Sequence, residues 1–307
     1  MAWIDVHHHI LPPAFVAAQR DEILYFARDP EVLDWSPARA LEQLDQFGIG
    51  TAYASLGVPG AADAGLARTC NEYAASLARD HPDRFGVFAS LPLPDIDACL
   101  DELEYAFDQL RADGIGLLSN YGGRHLGDPL FAPLLEELDR RGAVVHVHPI
   151  APPACRGLLP GYPDPFLEFP FDTTRAVTSL LYAGAFERWP RIAFIFSHGA
   201  GAVPMLSQRI VALAQMTGTV SDPLDQLSRI HADAVTTTSR PAFAAASELL
   251  GTGRILFGSD YPYVPIEATA SGLRALGLET AALDAIGRGN ALGLLGGAGL
   301  DSSSTGC

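Results

Sequence analysis

Eight short runs rich in Val, Ile, Leu, Phe and Ala recur along the chain, at about 3–9, 50–56, 84–90, 114–119, 142–148, 192–197, 232–238 and 254–259. The segments between them carry helical spacing. A parallel strand needs a crossover connection, and a helix supplies it, so this alternation predicts a parallel sheet of βα units. Eight units predict closure into a (β/α)8 TIM barrel of the α/β class, whose chemistry sits at the C-terminal ends of the strands. A chain of 307 residues accommodates the ~250 residues of such a barrel plus insertions.

Helix boundaries support the pattern. Ser36-Pro37 reads as N-cap and first helical residue, after which Ala40, Leu41, Leu44 and Phe47 share one face and Gly48 ends the helix. Asp128-Pro129 repeats this with Phe131, Leu134, Leu135 and Leu138, and Asp172 and Ser239 are expected to cap later helices. The connections 10–35 and 149–171 are too long for ordinary βα loops. They are expected as rim insertions over the barrel mouth, serving as lids, as pocket walls or as a subunit contact. The barrel is expected to occupy residues 1–295, with 296–307, rich in Gly and Ser, as a flexible tail.

Composition narrows the function classes. With 48% hydrophobic and 18% charged residues and no apolar run near the ~20 residues of a bilayer span, the chain reads as globular and cytoplasmic. The N-terminus shows no targeting signal. A net charge of −16 opposes binding to nucleic acid or anionic membranes, so any anionic small substrate needs a local cation. Every basic residue is arginine; the absence of lysine excludes a Schiff base and the carboxylated lysine that bridges two metals, which favours one metal ion. Cys70, Cys99, Cys155 and Cys307 have no paired spacing and are expected as reduced thiols.

The first run ends in His7-His8-His9 before Pro12-Pro13. Strand alternation places Asp5, His7 and His9 on one face and His8 on the other. His148, His198 and Asp260 also fall at the ends of apolar runs, in Val-Val-His-Val-His-Pro, Phe-Ser-His-Gly and Phe-Gly-Ser-Asp. His7, His9, His148 and Asp260 together offer three imidazoles and a carboxylate, a set suited to Zn²⁺, with Mn²⁺ or Mg²⁺ as alternatives, and with a position open to substrate. Singly, each also reads as a polar residue at a strand end. His198, followed by Gly199-Ala200-Gly201, reads as a fourth ligand or, preferably, as an acid/base. His146 reads as a deeper core or supporting residue, and His125 follows the fourth run near the rim. Arg209 lies about three helical turns beyond His198, as a carboxylate binder or a plain surface arginine.

Ile4-Asp5-Val6-His7-His8-His9-Ile10-Leu11-Pro12, His146-Val147-His148-Pro149, Phe196-Ser197-His198-Gly199 and Phe257-Gly258-Ser259-Asp260-Tyr261-Pro262, in this order, resemble the decarboxylase branch of the amidohydrolase superfamily. That branch includes aminocarboxymuconate-semialdehyde, γ-resorcylate and 6-methylsalicylate decarboxylases. Asn71-Glu72-Tyr73, Asn120-Tyr121-Gly122 and Leu126-Gly127-Asp128-Pro129 look closest to the 6-methylsalicylate type. The resemblance implies a metal held by His7, His9, His148 and Asp260, with His198 catalytic. It further implies that Arg209 reaches the carboxylate of a substrate in a neighbouring subunit, hence at least a homodimer. One departure stands out. Where relatives carry Tyr-Asp-Thr on the seventh strand, this chain has Asp233-Ala-Val-Thr-Thr-Thr-Ser, and the expected aspartate looks replaced near Thr236.

The resulting expectation is metal-dependent, non-oxidative decarboxylation of a hydroxybenzoate such as a 6-alkylsalicylate, or of a related unsaturated acid. A proton would come from Asp260 or a water on the cation, with His198 managing protons. Hydrolysis of a lactone, ester or amide by the same site is the alternative, and a barrel that only binds a small aromatic or a partner is a third.

Overall fold

In the computed structural model, which describes residues 2–296, eight parallel strands follow one another in chain order around the molecule. They are β1 (Trp3–Ile10), β2 (Ile49–Leu56), β3 (Phe85–Ser90), β4 (Gly114–Leu118), β5 (Val144–His148), β6 (Ala193–Phe196), β7 (His231–Asp233) and β8 (Ile255–Leu256). The seam between β8 and β1 is closed by hydrogen bonds from Val6 N to Phe257 O (3.0 Å) and from His9 N to Tyr261 O (2.7 Å). This is a (β/α)8 barrel. The expected tail falls mostly outside the described residues, as does Cys307.

Alternation along β5 sorts its side chains. Val145 and Val147 join the main core under the helices, whereas Val144 joins Ile4, Val6, Phe88, Ile195 and Leu256 in a separate cluster inside the barrel, closed below by Ala291 and Leu295. His146 and His148 share the inward face with Val144, so the barrel interior turns from apolar to imidazole toward its mouth.

β1 departs from simple alternation. Asp5 pairs with Ala52 and His8 with Ala54, so three steps on β1 match two on β2, a β-bulge around Val6–His7. Ile4 and Val6 face the interior above the bulge, His7 and His9 beyond it; Trp3, Asp5, His8 and Ile10 face the helices. The expectation that Asp5 shares a face with His7 and His9 is therefore corrected: its carboxylate bonds His8 Nδ1 (3.2 Å) instead.

Helix capping follows the sequence in part. In α2 (Pro37–Phe47) the Ser36 hydroxyl accepts from Arg39 N and Gly48 closes the helix in a left-handed conformation. Asp128 caps a short 3-10 turn, Pro129–Phe131, that precedes α5 (Ala132–Arg141). Ser239 stands at the N-cap of α8 (Arg240–Leu250) without a side-chain cap bond. Asp172 is no cap at all. It lies within α6 (Glu168–Tyr182), fully buried, and accepts hydrogen bonds from Ser119 Oγ, Asn120 Nδ2 and His125 Nε2. That cluster ties the loop after β4 to α6, and it absorbs His125.

The two rim insertions meet over the mouth. The first forms α1 (Pro13–Ala27), and the second runs irregularly into α6. Tyr25 donates to Asp164 (2.7 Å), Arg156 pairs with Glu22 (2.6 Å), and the Arg156 guanidinium lies over the Tyr25 and Phe26 rings.

Candidate active site

Three imidazoles and one carboxylate converge at the barrel mouth. His7 Nε2 and His9 Nε2 are 3.0 Å apart, and Asp260 Oδ1 lies 3.3, 3.0 and 3.9 Å from the Nε2 atoms of His7, His9 and His148. All four residues are buried.

Each ring has its second nitrogen engaged. His7 Nδ1 meets Asp233 Oδ2 at 2.8 Å, His9 Nδ1 meets Ser55 Oγ at 3.2 Å, and His148 Nδ1 donates to Pro149 O at 2.7 Å. A proton on Nδ1 leaves an Nε2 lone pair facing inward, the arrangement that outer partners impose on metal-binding histidines. His148 Nε2 and Asp260 Oδ1 are buried without a hydrogen-bond partner. Metal–ligand bonds of ~2.0–2.1 Å in a tetrahedron put ligand atoms ~3.3 Å apart, which matches most of these separations. The donor set fits one divalent ion of the kind that accepts nitrogen and carboxylate ligands.

Electrostatics point the same way. Two buried carboxylates, Asp233 and Asp260, stand among the rings. Burial pushes His7 down, but the charges of Asp260 and Asp233 outweigh it and raise the ring to about 10. Burial lowers His9, holds His148 well below the usual histidine range, and takes His146 down to about 4. Asp260 is held well below the usual carboxylate range because the charge of His7 and the close contacts of His198, His7 and His9 overcome its burial. The cluster thus calls for positive charge at its centre, which a proton on His7 or a cation supplies.

Asp233 corrects the reading of the seventh strand. β7 ends at Asp233, not at 238, and the chain then turns, with Thr236 in a left-handed conformation (φ 51°). The carboxylate expected near Thr236 is supplied by Asp233 itself, which accepts from His7 Nδ1 through Oδ2 and from His198 N (2.9 Å) and Val235 N through Oδ1. His146 Nε2 lies 3.6 Å from the same Oδ2, so Asp233 spans three elements. Placing the strand boundary too late hid this residue; a lone aspartate closing an apolar run was the available signal. Ser55, at the end of β2, carried no signal of its own.

His198 follows β6 in a left-handed conformation (φ 57°), held by its N–H on Asp233. Its Nε2 lies 3.3 Å from Asp260 Oδ2, so Asp260 turns one oxygen to the histidine trio and the other to His198. Gly258 passes so close to His7 and Asp233 that a Cβ there would meet theirs at 2.8 and 2.9 Å. The site opens into a cavity of about 960 Å³, walled by Phe26, Val58, Phe169 and Tyr263 and bordered by the second rim insertion, with Arg28 as the arginine in its lining. Arg209 is not in that lining. It is exposed on α7 (Val203–Thr217), and among the described residues it has no ion-pair partner.

A family model described as Amidohydrolase matches residues 4–297. The chain belongs to the decarboxylase branch of the amidohydrolase superfamily. This amidohydrolase is 37% identical over 290 residues to the protein called Decarboxylase yanB of Aspergillus niger, covering 86% of this chain and 78% of that one. It is 34% identical to a 6-methylsalicylic acid decarboxylase of Penicillium expansum, over 87% of each chain. Its fold superposes with a TM-score of 0.85, at 22% identity, on a dihydroxybenzoic acid decarboxylase of Polaromonas sp. JS666 solved with bound manganese and 2-nitroresorcinol, covering 96% of this chain and 97% of that one. No helix among the described residues is long and apolar enough to cross a membrane.

Proposed function

We propose that this amidohydrolase is a metal-dependent, non-oxidative decarboxylase of hydroxybenzoates, with a 6-alkylsalicylate such as 6-methylsalicylate as substrate. The observation that carries the reading is the convergence of His7, His9, His148 and Asp260 beside His198, in a chain whose named relatives are decarboxylases. Zn²⁺ suits three neutral nitrogens and one carboxylate; the manganese in the related structure makes Mn²⁺ the main competitor. When bound, the ion neutralises and orients the substrate carboxylate and its ortho hydroxyl.

The protein's part is orientation and proton delivery. Phe26, Val58, Phe169 and Tyr263 give the ring an apolar wall to pack against. A proton shared between His198 Nε2 and Asp260 Oδ2 is delivered to the ring carbon that bears the carboxylate. The new C–H bond uses a ring π pair, the C–C bond to the carboxylate then breaks, its electrons restore the aromatic ring, and CO₂ leaves.

Arg209 is assigned to substrate binding in the active site of a second copy. Its exposure, and its separation from the cavity of its own chain, support that role. The enzyme would then be a homodimer or larger, in the cytoplasm. The test is purified protein supplied with Zn²⁺ or Mn²⁺ and a hydroxybenzoate panel, with release of CO₂ and the matching phenol as the expected result. Inert carboxylates beside turnover of a lactone or amide panel would decide for hydrolysis.

A further inference from the structure

Behind the metal-binding face of β1, the bulge leaves Asp5 facing the helices with no exposure. Its two oxygens take four donors. Oδ1 accepts from His7 N (3.1 Å) and Ser259 N (2.9 Å), and Oδ2 from Ser259 Oγ (2.5 Å) and His8 Nδ1 (3.2 Å). Two of these donors belong to the residue just before Asp260, and another is the main-chain N–H of His7. Ser259 Oγ in turn accepts from Tyr261 N at 3.1 Å, and Asp260 N donates to His7 O at 2.7 Å.

The location matters because β8 ends at Leu256 and no strand ladder carries Asp260. Asp260 also adopts a left-handed conformation (φ 62°), which a non-glycine residue holds only where its surroundings impose it. Beside the main-chain bonds Asp260 N–His7 O and His9 N–Tyr261 O, the carboxylate of Asp5 is the side chain that fastens this turn to β1. We propose that Asp5 is a positioning residue that, through Ser259, sets the separation of Asp260 from His7 and His9 and so tunes the protein's affinity for its divalent ion. It touches neither metal nor substrate, and the proposal rests on the metal reading given above.

Equilibrium Mn²⁺ binding, with the electron paramagnetic resonance spectrum of the bound ion, tests this on Asp5→Asn and Ser259→Ala. The amide of Asp5→Asn keeps one acceptor but opposes the hydroxyl and imidazole donors with an NH₂ group. Ser259→Ala removes one hydroxyl only and protects the test if Asp5→Asn does not fold. Both are expected to weaken Mn²⁺ binding ~10–100-fold and to alter the spectrum, and the double variant to lose little beyond Asp5→Asn, because the two act through one connection. Glu102→Gln is the control: Glu102 is a buried carboxylate bonded to Asn71 and Arg68 away from the site, and it is expected to lower the melting temperature while leaving Mn²⁺ affinity unchanged. Binding within about twofold of wild type in both site variants, or an equal loss in the control, would overturn the proposal. Wild-type protein that binds no divalent ion at all would overturn the metal reading and this proposal with it.

Discussion

At the residue scale, each side chain of the site has a separable task. His148 and Asp260 present buried atoms without a protein partner, so their removal should cost the ion itself. Asp260→Asn is expected to reduce kcat/KM by more than ~100-fold, since it weakens a ligand and breaks the contact to His198; metal content of the purified variant, measured with its rate, separates the two effects. Asp233 acts differently. It holds the His7 tautomer and anchors the His198 backbone, and Asp233→Asn should lower metal affinity or activity ~10–100-fold while leaving the ligand set intact. An Asp233→Asn variant with wild-type metal affinity and rate would show that the bond to His7 Nδ1 is dispensable.

At the scale of elements, the site lies where regular structure stops. His198, Ala200, Thr236 and Asp260 all have positive φ, and all follow the ends of β6, β7 or β8. Such conformations persist only where neighbours impose them, and they gather at functional sites. Gly201 shows how tightly the turn after β6 is packed: with φ 64°, a Cβ there would come within 2.2 Å of Pro170 O on α6. Gly201→Ala should therefore destabilise the protein by ~2–4 kcal/mol, combining the cost of a positive φ that suits glycine with a backbone clash. Denaturant unfolding checks the stability; an unchanged midpoint would mean that α6 yields to the new methyl group.

At the scale of the whole molecule, charge and protonation govern stability. Burial, with Arg254 nearby, lowers His231 to about 4, and burial holds His9 and His148 low as well. The unfolded chain binds protons to such rings near pH 6.5 while the folded chain does not, so their contribution is complete above 6.5 and is lost as pH falls below it, for His231 down to about 4. Stability should drop between pH 7 and 5, and the drop should be smaller in His231→Gln, since this ring meets Arg254 and none of the candidate cation ligands. Denaturant titrations at the two pH values measure both, and an equal drop in the variant would discount His231. Chelation should also lower the melting temperature, because an ion present at 100 times its Kd stabilises the folded state by ~2.7 kcal/mol.

The sequence by itself determined the barrel and the end of it at which the candidate metal-binding side chains gather. Eight apolar runs with helices between them admit few closed arrangements, and once the runs are strands, His7, His9, His148, His198 and Asp260 must lie at one end, because a parallel barrel points all its strand ends the same way. Where backbone regularity fails, pattern stopped being informative. A bulge in β1 sent Asp5 to the helix side, an early end to β7 brought Asp233 rather than a residue near Thr236 to His7, and the place of Asp172 inside α6 turned an expected cap into a buried acceptor. Only the tertiary structure decided these, since a bulge or a strand end is set by which distant main-chain groups find partners. Alternation is a property of a single strand; the contacts among Asp5, Ser259, His7 and Asp233 exist only where the first strand meets the seventh and eighth to close the barrel.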